Sequence, residues 1–245
     1  MIENFSEYGR PRITRELQEN YDLEVNHKVV GKLLREWDLA IMRAARKPGS
    51  SPVEKAIEEA GEDADLVKKR LESAIPIELF EIVYTDFTTI KFAGGSRTVK
   101  LMPIIGHKSK LILGWALGDS RNRSVACRAW ERSKEKFKEL GIGWEGLILH
   151  QDQDSVYTSD RWVDQLLDDR LRISYSTNGA KGNTHMESFN GHFKNPIKSI
   201  LTESETTREV KEVIGKRAIK WNQERRHSSL GQIAPITYIN QEIRD

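Results

Sequence analysis

Apolar positions near the start of the chain recur at helical spacing. Ile13, Leu17 and Tyr21 fall four apart, Asp22 and Leu23 break the run, and Val29, Val30, Leu33, Leu34 and Trp37 resume it after Asn26, a suitable N-cap. Two helices joined by a tight turn are expected over residues 1–45. They form either a helix-turn-helix that turns Arg10, Arg12, Arg15, Lys28 and Lys32 toward a phosphate backbone, or a small hairpin that packs on its neighbour. Eight acidic residues against nine basic over 1–48 keep the second reading at least level with the first. The unit begins almost at Met1, so no upstream recognition module is expected.

The stretch Arg46 to Pro52 has linker composition, and residues 46–76 read as linker plus an acidic helix. Ser51, Pro52 and Glu54 make a capping box, followed by Ala56, Ile57, Ala60, Ala64, Val67 and Leu71 at helical spacing, with Gly61 a weak point that divides the helix.

The period changes at Leu79. LFEIVYTDFTTIKF, RTVKLMPIIGH and KLILGWALGDS are β-branched and aromatic runs with short connections, the pattern of an antiparallel meander. A helix over Ser124 to Leu140, a buried strand over Gly146 to His150, a helix over Ser159 to Asp169, a strand over Leu171 to Tyr175 and a helix over His185 to Leu201 follow. Pro196 is expected to kink the last of these after Asn195. This order predicts an α/β domain over 77–205, a mixed five-stranded sheet flanked by helices, with a C-terminal helical segment over 206–245.

Composition narrows the class. The 245 residues hold 39 Lys plus Arg and 37 Asp plus Glu, a net charge of +2, and one cysteine, Cys127. No apolar run is long enough to span a bilayer, and the first residues lack a signal peptide's apolar stretch, so a cytoplasmic, membrane-free protein is expected. A single cysteine excludes an intramolecular disulfide framework. The near-neutral total conceals segregation: residues 91–138 carry twelve basic and three acidic side chains, while 54–81 and 139–187 each carry nine acidic and four basic. Lys211, Lys216, Arg217, Lys220, Arg225 and Arg226 form a further basic group.

Three carboxylates fall at informative places. Asp86 lies within an apolar strand, on the face of Tyr84 and Thr88, where a charge is costly without a partner such as a metal. Asp152 follows the buried run LILHQ, at a strand's C-terminal end where ligands collect in open α/β sheets. Glu187 lies on a helix whose apolar stripe is Met186, Phe189, Phe193, Ile197 and Ile200. On a second stripe Glu187 aligns with Lys194 and Lys198, so that the lysines lead a nucleic acid toward the acid.

The strings YTDFT, LILHQDQDSVYTS, GNTHMESFNGHFK and WNQERRHSSLGQIAPITY resemble the catalytic core of Asp-Asp-Glu transposases of the retroviral-integrase superfamily. More narrowly they resemble the second-reading-frame product of bacterial insertion sequences with two overlapping frames, and YGRPRITREL through Trp37 resembles that family's helix-turn-helix-like unit. The resemblance implies a ribonuclease-H-like core with Asp86, Asp152 and Glu187 as catalytic residues and ligands of two Mg²⁺ ions, Mn²⁺ being able to substitute. Lys194 matches a basic position near DNA ends, and Lys198, Arg225 and Arg226 are further candidate DNA contacts. Asn222, Arg225, His227, Ser228, Leu230 and Pro235 match a C-terminal signature for which structural duty is favoured.

The implied activity is metal-dependent DNA strand cleavage and strand transfer in transposition. Transposon ends and target DNA would be the partners, with a homo-oligomer on the DNA, an upstream-frame protein or fusion, and a nucleoid location. An accessory DNA-binding product and a ribonuclease-H-like nuclease are the alternatives. The chain departs from the family in three places: 34 residues separate Asp152 from Glu187, one fewer than usual; Asp154 replaces a common Gly; and His107 stands where Asp is common.

Overall fold

A computed structural model describes residues 10–37, 50–177 and 183–243. The chain divides into two compact units, 1–49 and 50–245. In the first, α1 (Arg10–Asn20) and α2 (His27–Glu36) close on Ile13, Val30 and Leu34, with Leu17 and Val25 at the edge. Asn26 caps α2 by accepting from the Lys28 N–H at 2.8 Å. Gly31 permits the approach of the two helices, since a Cβ there would lie 2.6 Å from Cδ of Arg10. Tyr21, Val29 and Trp37, expected on the packed faces, are instead exposed, because this short hairpin has room for one apolar stripe per helix. The linker expected to begin at Arg46 lies outside the described residues as far as Gly49.

In the second unit the capping box forms as expected: Ser51 N–H donates to Glu54 and Glu54 N–H to Ser51 Oγ, opening α3 (Pro52–Ala60). Gly61 ends that helix at φ +53°, and α4 (Leu66–Glu72) restarts with Asp65 as its cap.

The sheet comprises β1 (Ile82–Thr85), β2 (Thr88–Phe92), β3 (Arg97–Gly106), β4 (Ile112–Gly118), β5 (Ile148–Gln151) and β6 (Arg172–Tyr175). β1 and β2 lie end to end along one edge of β3, β4 takes its other edge, and β5 and β6 continue in parallel beyond β1. The five expected runs are therefore all present, but the first is broken at Asp86 and Phe87. One register runs through the break, from Val83 opposite Gly106 to Thr88 opposite Leu101. That register puts Pro103, which has no N–H to give, opposite Asp86. The Pro103 carbonyl accepts from the Thr85 hydroxyl at 2.8 Å instead. Asp86 thus sits at a strand end rather than inside a strand.

Helices cover both faces. Val83 and Leu149 face α5 (Arg123–Leu140) and α6 (Asp160–Asp168), with Trp130, Phe137 and Trp162 fully buried between. Ile82, Tyr84 and Ile148 face α7 (Thr184–Lys194) and α9 (Thr207–Gln223) across Phe189, Phe193 and Trp221. The helix expected to run to Leu201 is interrupted by a 3₁₀ turn at Asn195–Ile197, carrying Pro196, before α8 (Lys198–Glu203). Beyond that interruption the apolar stripe continues on Leu201, which is buried, while Ile200 is exposed. α10 (Pro235–Glu242) ends the unit, seating Ile239 among the α5 side of the core.

Candidate active site

The parallel pairing of β1 with β5 sets Tyr84 beside His150. Carried two residues on, the same offset brings Asp86 abreast of Asp152 at the C-terminal ends of adjoining strands. Strand alternation sends both toward α7, as Ile82, Tyr84 and Ile148 go. The two carboxylates feel each other. Asp86 is pushed up to about 6, first by burial and then by the charge of Asp152; the Phe87 N–H and Arg121 pull the other way. Burial also raises Asp152, against a hydrogen bond from the Asp154 N–H to its Oδ1 at 3.0 Å. Two half-buried acids that repel one another leave a surplus of negative charge that a cation would relieve.

Arg121 belongs to this site, although no sequence signal singled it out. It lies in the loop after β4, and its Nη1 donates to Asp154 Oδ2 at 3.0 Å. Asp154 also accepts from the Val156 N–H at 3.0 Å, so the residue that departs from the family pattern is occupied in building the turn and holding Arg121. Behind the turn Gln151 is buried and accepts from the Trp162 indole at 2.9 Å, which locks the end of β5 onto α6.

α7 is fastened along the break between β1 and β2. Before its first turn, Asn183 Nδ2 donates to the Thr85 carbonyl at 3.2 Å; at its last residue, Lys194 Nζ donates to Thr88 Oγ1 at 2.6 Å. Burial lowers Lys194, and the nearby charge of Asp86 opposes that shift. Glu187 rides between these fastenings on the first turn of α7, exposed to solvent. Among the described residues no three acid, imidazole or thiol side chains, Glu187 with the aspartate pair included, converge closely enough to hold a metal ion. Oxygen donors at Asp86 and Asp152 fit a hard divalent cation.

The remaining candidates separate. Lys198 is exposed beside Lys194 along a shallow cavity that also reaches Lys91. Arg225 and Arg226 lie beyond the end of α9, against a different cavity. Arg217 is buried and donates to the carbonyls of His192 and Phe193 at 2.9 and 3.1 Å, so it closes the C-terminal end of α7. Asn222 clamps β4 by accepting from the Ile112 N–H and donating to the Ile112 carbonyl, both at 2.9 Å.

The basic middle segment does not form one path to the acids. Arg121 reaches them, but Arg132 donates to the Trp115 carbonyl at 2.6 Å, Lys134 pairs with Glu131 and Asp169 at 3.0 Å, and Lys136 pairs with Glu139. Half of those twelve cations lie on α5, which packs on the opposite face of the sheet from α7.

Residues 79–181 match the family model described as integrase core domain, residues 170–235 match a second model of that description, and residues 2–47 match an HTH-like domain. No curated protein sequence matches the chain. Among solved structures, the catalytic core domain of HTLV-2 integrase in complex with magnesium is similar in a dimeric and a trimeric form. Both are 14% identical, with TM-scores of 0.50 and 0.51, covering 67% and 68% of this chain and 99% of those chains. A simian T-cell lymphotropic virus intasome in complex with PP2A regulatory subunit B56 gamma is similar with a TM-score of 0.54 at 11% identity, covering 96% of this chain and 72% of that one. At these identities the structural likeness speaks for the fold. Strand order, helices on both faces and the matched families agree: the chain carries an integrase core domain of ribonuclease-H-like fold, preceded by an HTH-like domain.

Proposed function

We propose that the protein is a metal-dependent polynucleotidyl transferase that cleaves and joins DNA strands during transposition of a bacterial insertion sequence. The observation that carries this reading is the pairing of Asp86 with Asp152 at neighbouring strand ends, with Asp86 held at about 6 by burial and by its neighbour's charge. The integrase core and HTH-like matches support DNA as substrate, and the magnesium complex of the similar HTLV-2 integrase core supports Mg²⁺ as the ion, with Mn²⁺ as a substitute. Asp86, Asp152 and Glu187 would hold the ions. When bound, the ions would polarise the scissile phosphate and favour the deprotonated attacking oxygen. The attacking oxygen is first water, which frees a 3′-hydroxyl at the element's end, and then that hydroxyl, which attacks a second phosphodiester.

The chain's own part is positional. The β1–β5 register holds the two aspartates side by side, α7 carries Glu187 and Lys194 past them, and Arg121 offsets their charge from the solvent side. Two DNA ends and a target call for a homo-oligomer on the DNA, met at the bacterial nucleoid; the dimeric, trimeric and intasome forms of the similar structures support this. That Glu187 does not converge with the aspartate pair favours a second reading, a DNA-binding accessory product that acts with an upstream-frame protein or fusion.

Labelled terminal repeats incubated with Mg²⁺, with and without the upstream frame, separate the readings. Joined product from this chain supports the transferase. Cutting without joining supports a nuclease, and binding alone supports the accessory role.

A further inference from the structure

The cavity against which Arg225 and Arg226 lie measures about 450 Å³ and opens between α7, the end of α9 and the loop that follows it. Among the described residues no carboxylate lines it. Its charged and imidazole groups are Lys110, His185, His192, Arg225, Arg226 and His227, joined by three serines. Among the described residues Lys110, Arg225 and Arg226 form no ion pair with an acid.

The polar atoms here are also poorly satisfied. Of seven buried side-chain polar atoms without a hydrogen-bond partner among the described residues, three belong to residues lining this cavity: His185 Nδ1, Arg225 Nε and His227 Nε2. Lys110 is half-buried, and its Nζ lies 3.1 Å from His185 Nε2. An ammonium can only donate, so Nε2 accepts and the ring proton resides on Nδ1, which makes the unpartnered Nδ1 a donor. The Arg225 guanidinium is held over the Trp221 ring at 4.7 Å, leaving its Nε–H likewise without an acceptor. Buried donors that lack acceptors are rare and costly. Fixed donors, unpaired cations and no competing acid make a receptor for an anion whose oxygens accept several hydrogen bonds.

We propose that this cavity binds a backbone phosphodiester of a DNA strand, with Lys110, Arg225 and Arg226 supplying charge and His185 and Arg225 the buried donors. A free phosphate ion would leave most of the volume empty, whereas a phosphate with its flanking sugars fills such a site. α7 supplies His185, Ser188 and His192 to this lining and carries Glu187 and Lys194 on its other positions. The choice of DNA rests on the proposed function.

The test is binding of the full chain to a duplex of arbitrary sequence, in EDTA, as a function of salt. Replacing a phosphate-contacting cation lowers the magnitude of the slope of log K against log salt by about 0.9. Arg226→Gln is expected to lower it by about that much and the Arg225→Gln/Arg226→Gln pair by about twice as much, equally on different sequences, at unchanged Tm. If the pair unfolds the chain, Ser229→Asp at an exposed loop position adds a negative charge without removing packing, and it is expected to weaken duplex binding at low salt. Unchanged slopes in folded variants, or no effect of Ser229→Asp, overturn the proposal. So does inorganic phosphate raising the Tm of the parent but not of the pair while duplex binding is untouched, which assigns the cavity to a free anion. A parent chain that binds no duplex overturns the functional reading together with the cavity; a chain that binds with slopes indifferent to these residues overturns the cavity alone.

Discussion

Asp152 carries the sharpest expectation for a single side chain. Asn has the same shape but no charge to offer a cation, and metal contacts to a transferring phosphoryl group contribute several kcal/mol to transition-state stabilisation. Asp152→Asn is expected to lower cleavage and joining by roughly a thousandfold or more at saturating Mg²⁺ while duplex binding in EDTA persists; near-normal turnover would sink the assignment. Lys194 makes a different prediction. It is tied to Thr88 and feels Asp86, yet its burial is incomplete, so Lys194→Ala is expected to weaken binding on every duplex and reduce the salt slope by about 1. Asp86 and Asp152 were legible in the sequence because an acid inside or beside an apolar run is itself anomalous. Arg121 was not, since nothing local marks one loop arginine among twelve cations; its role comes from a turn that Asp154 builds more than thirty residues later.

At the scale of elements, close packing of β4 on α5 depends on a missing side chain. A Cβ at Gly114 would lie 2.4 Å from the Ala129 carbonyl oxygen and 2.6 Å from the Ser133 N, backbone atoms that cannot swing away. Gly114→Ala is expected to cost about 1–3 kcal/mol in urea unfolding, the usual range for overpacking a core; a neutral result would mean the helix stands off further than described. Helices with strong caps and apolar stripes were legible, as Ser51 with Glu54 and the buried face of α5 show. The break between β1 and β2 was not, because it depends on Pro103 in another strand. The shift of the stripe from Ile200 to Leu201 was hidden for a similar reason: Pro196 signals a kink, but not how the helix beyond it is set down on the sheet.

For the whole molecule, near-neutral charge has proved to be a local matter. The acids of 54–81 largely cap helices or pair nearby, as Asp65 and Glu81 do, and the cations of α5 are spent on carbonyls and neighbouring acids. Among the described residues two local imbalances stand out, an acidic pair at one site and a cavity of cations at another. That second imbalance has a pH consequence. His107, packed on Tyr84 and His185 with Lys110 and Glu81 nearby, is lowered to about 4 from an ordinary 6.5, by burial first and then by Lys110. His227 is lowered to about 4 by burial, then by Arg225, Lys110 and His192. Both rings are neutral in the fold, whereas the unfolded chain takes up protons below about 6.5, so this contribution is complete above that pH and is lost as pH falls toward 4. Urea midpoints are expected to drop between pH 7 and 5, and to drop less in His107→Gln. An equal drop in that variant would remove His107 from the explanation.

The central claim is that Asp86, Asp152 and Glu187 hold the ions of a DNA strand transferase. Crystals of the full chain grown with Mn²⁺ and a DNA end test it most directly through the anomalous scattering of the metal. An anomalous peak between Asp86 and Asp152, with Glu187 turned in as a further ligand, is the expected result. Manganese bound elsewhere, with the two aspartates joined to no metal, would contradict it.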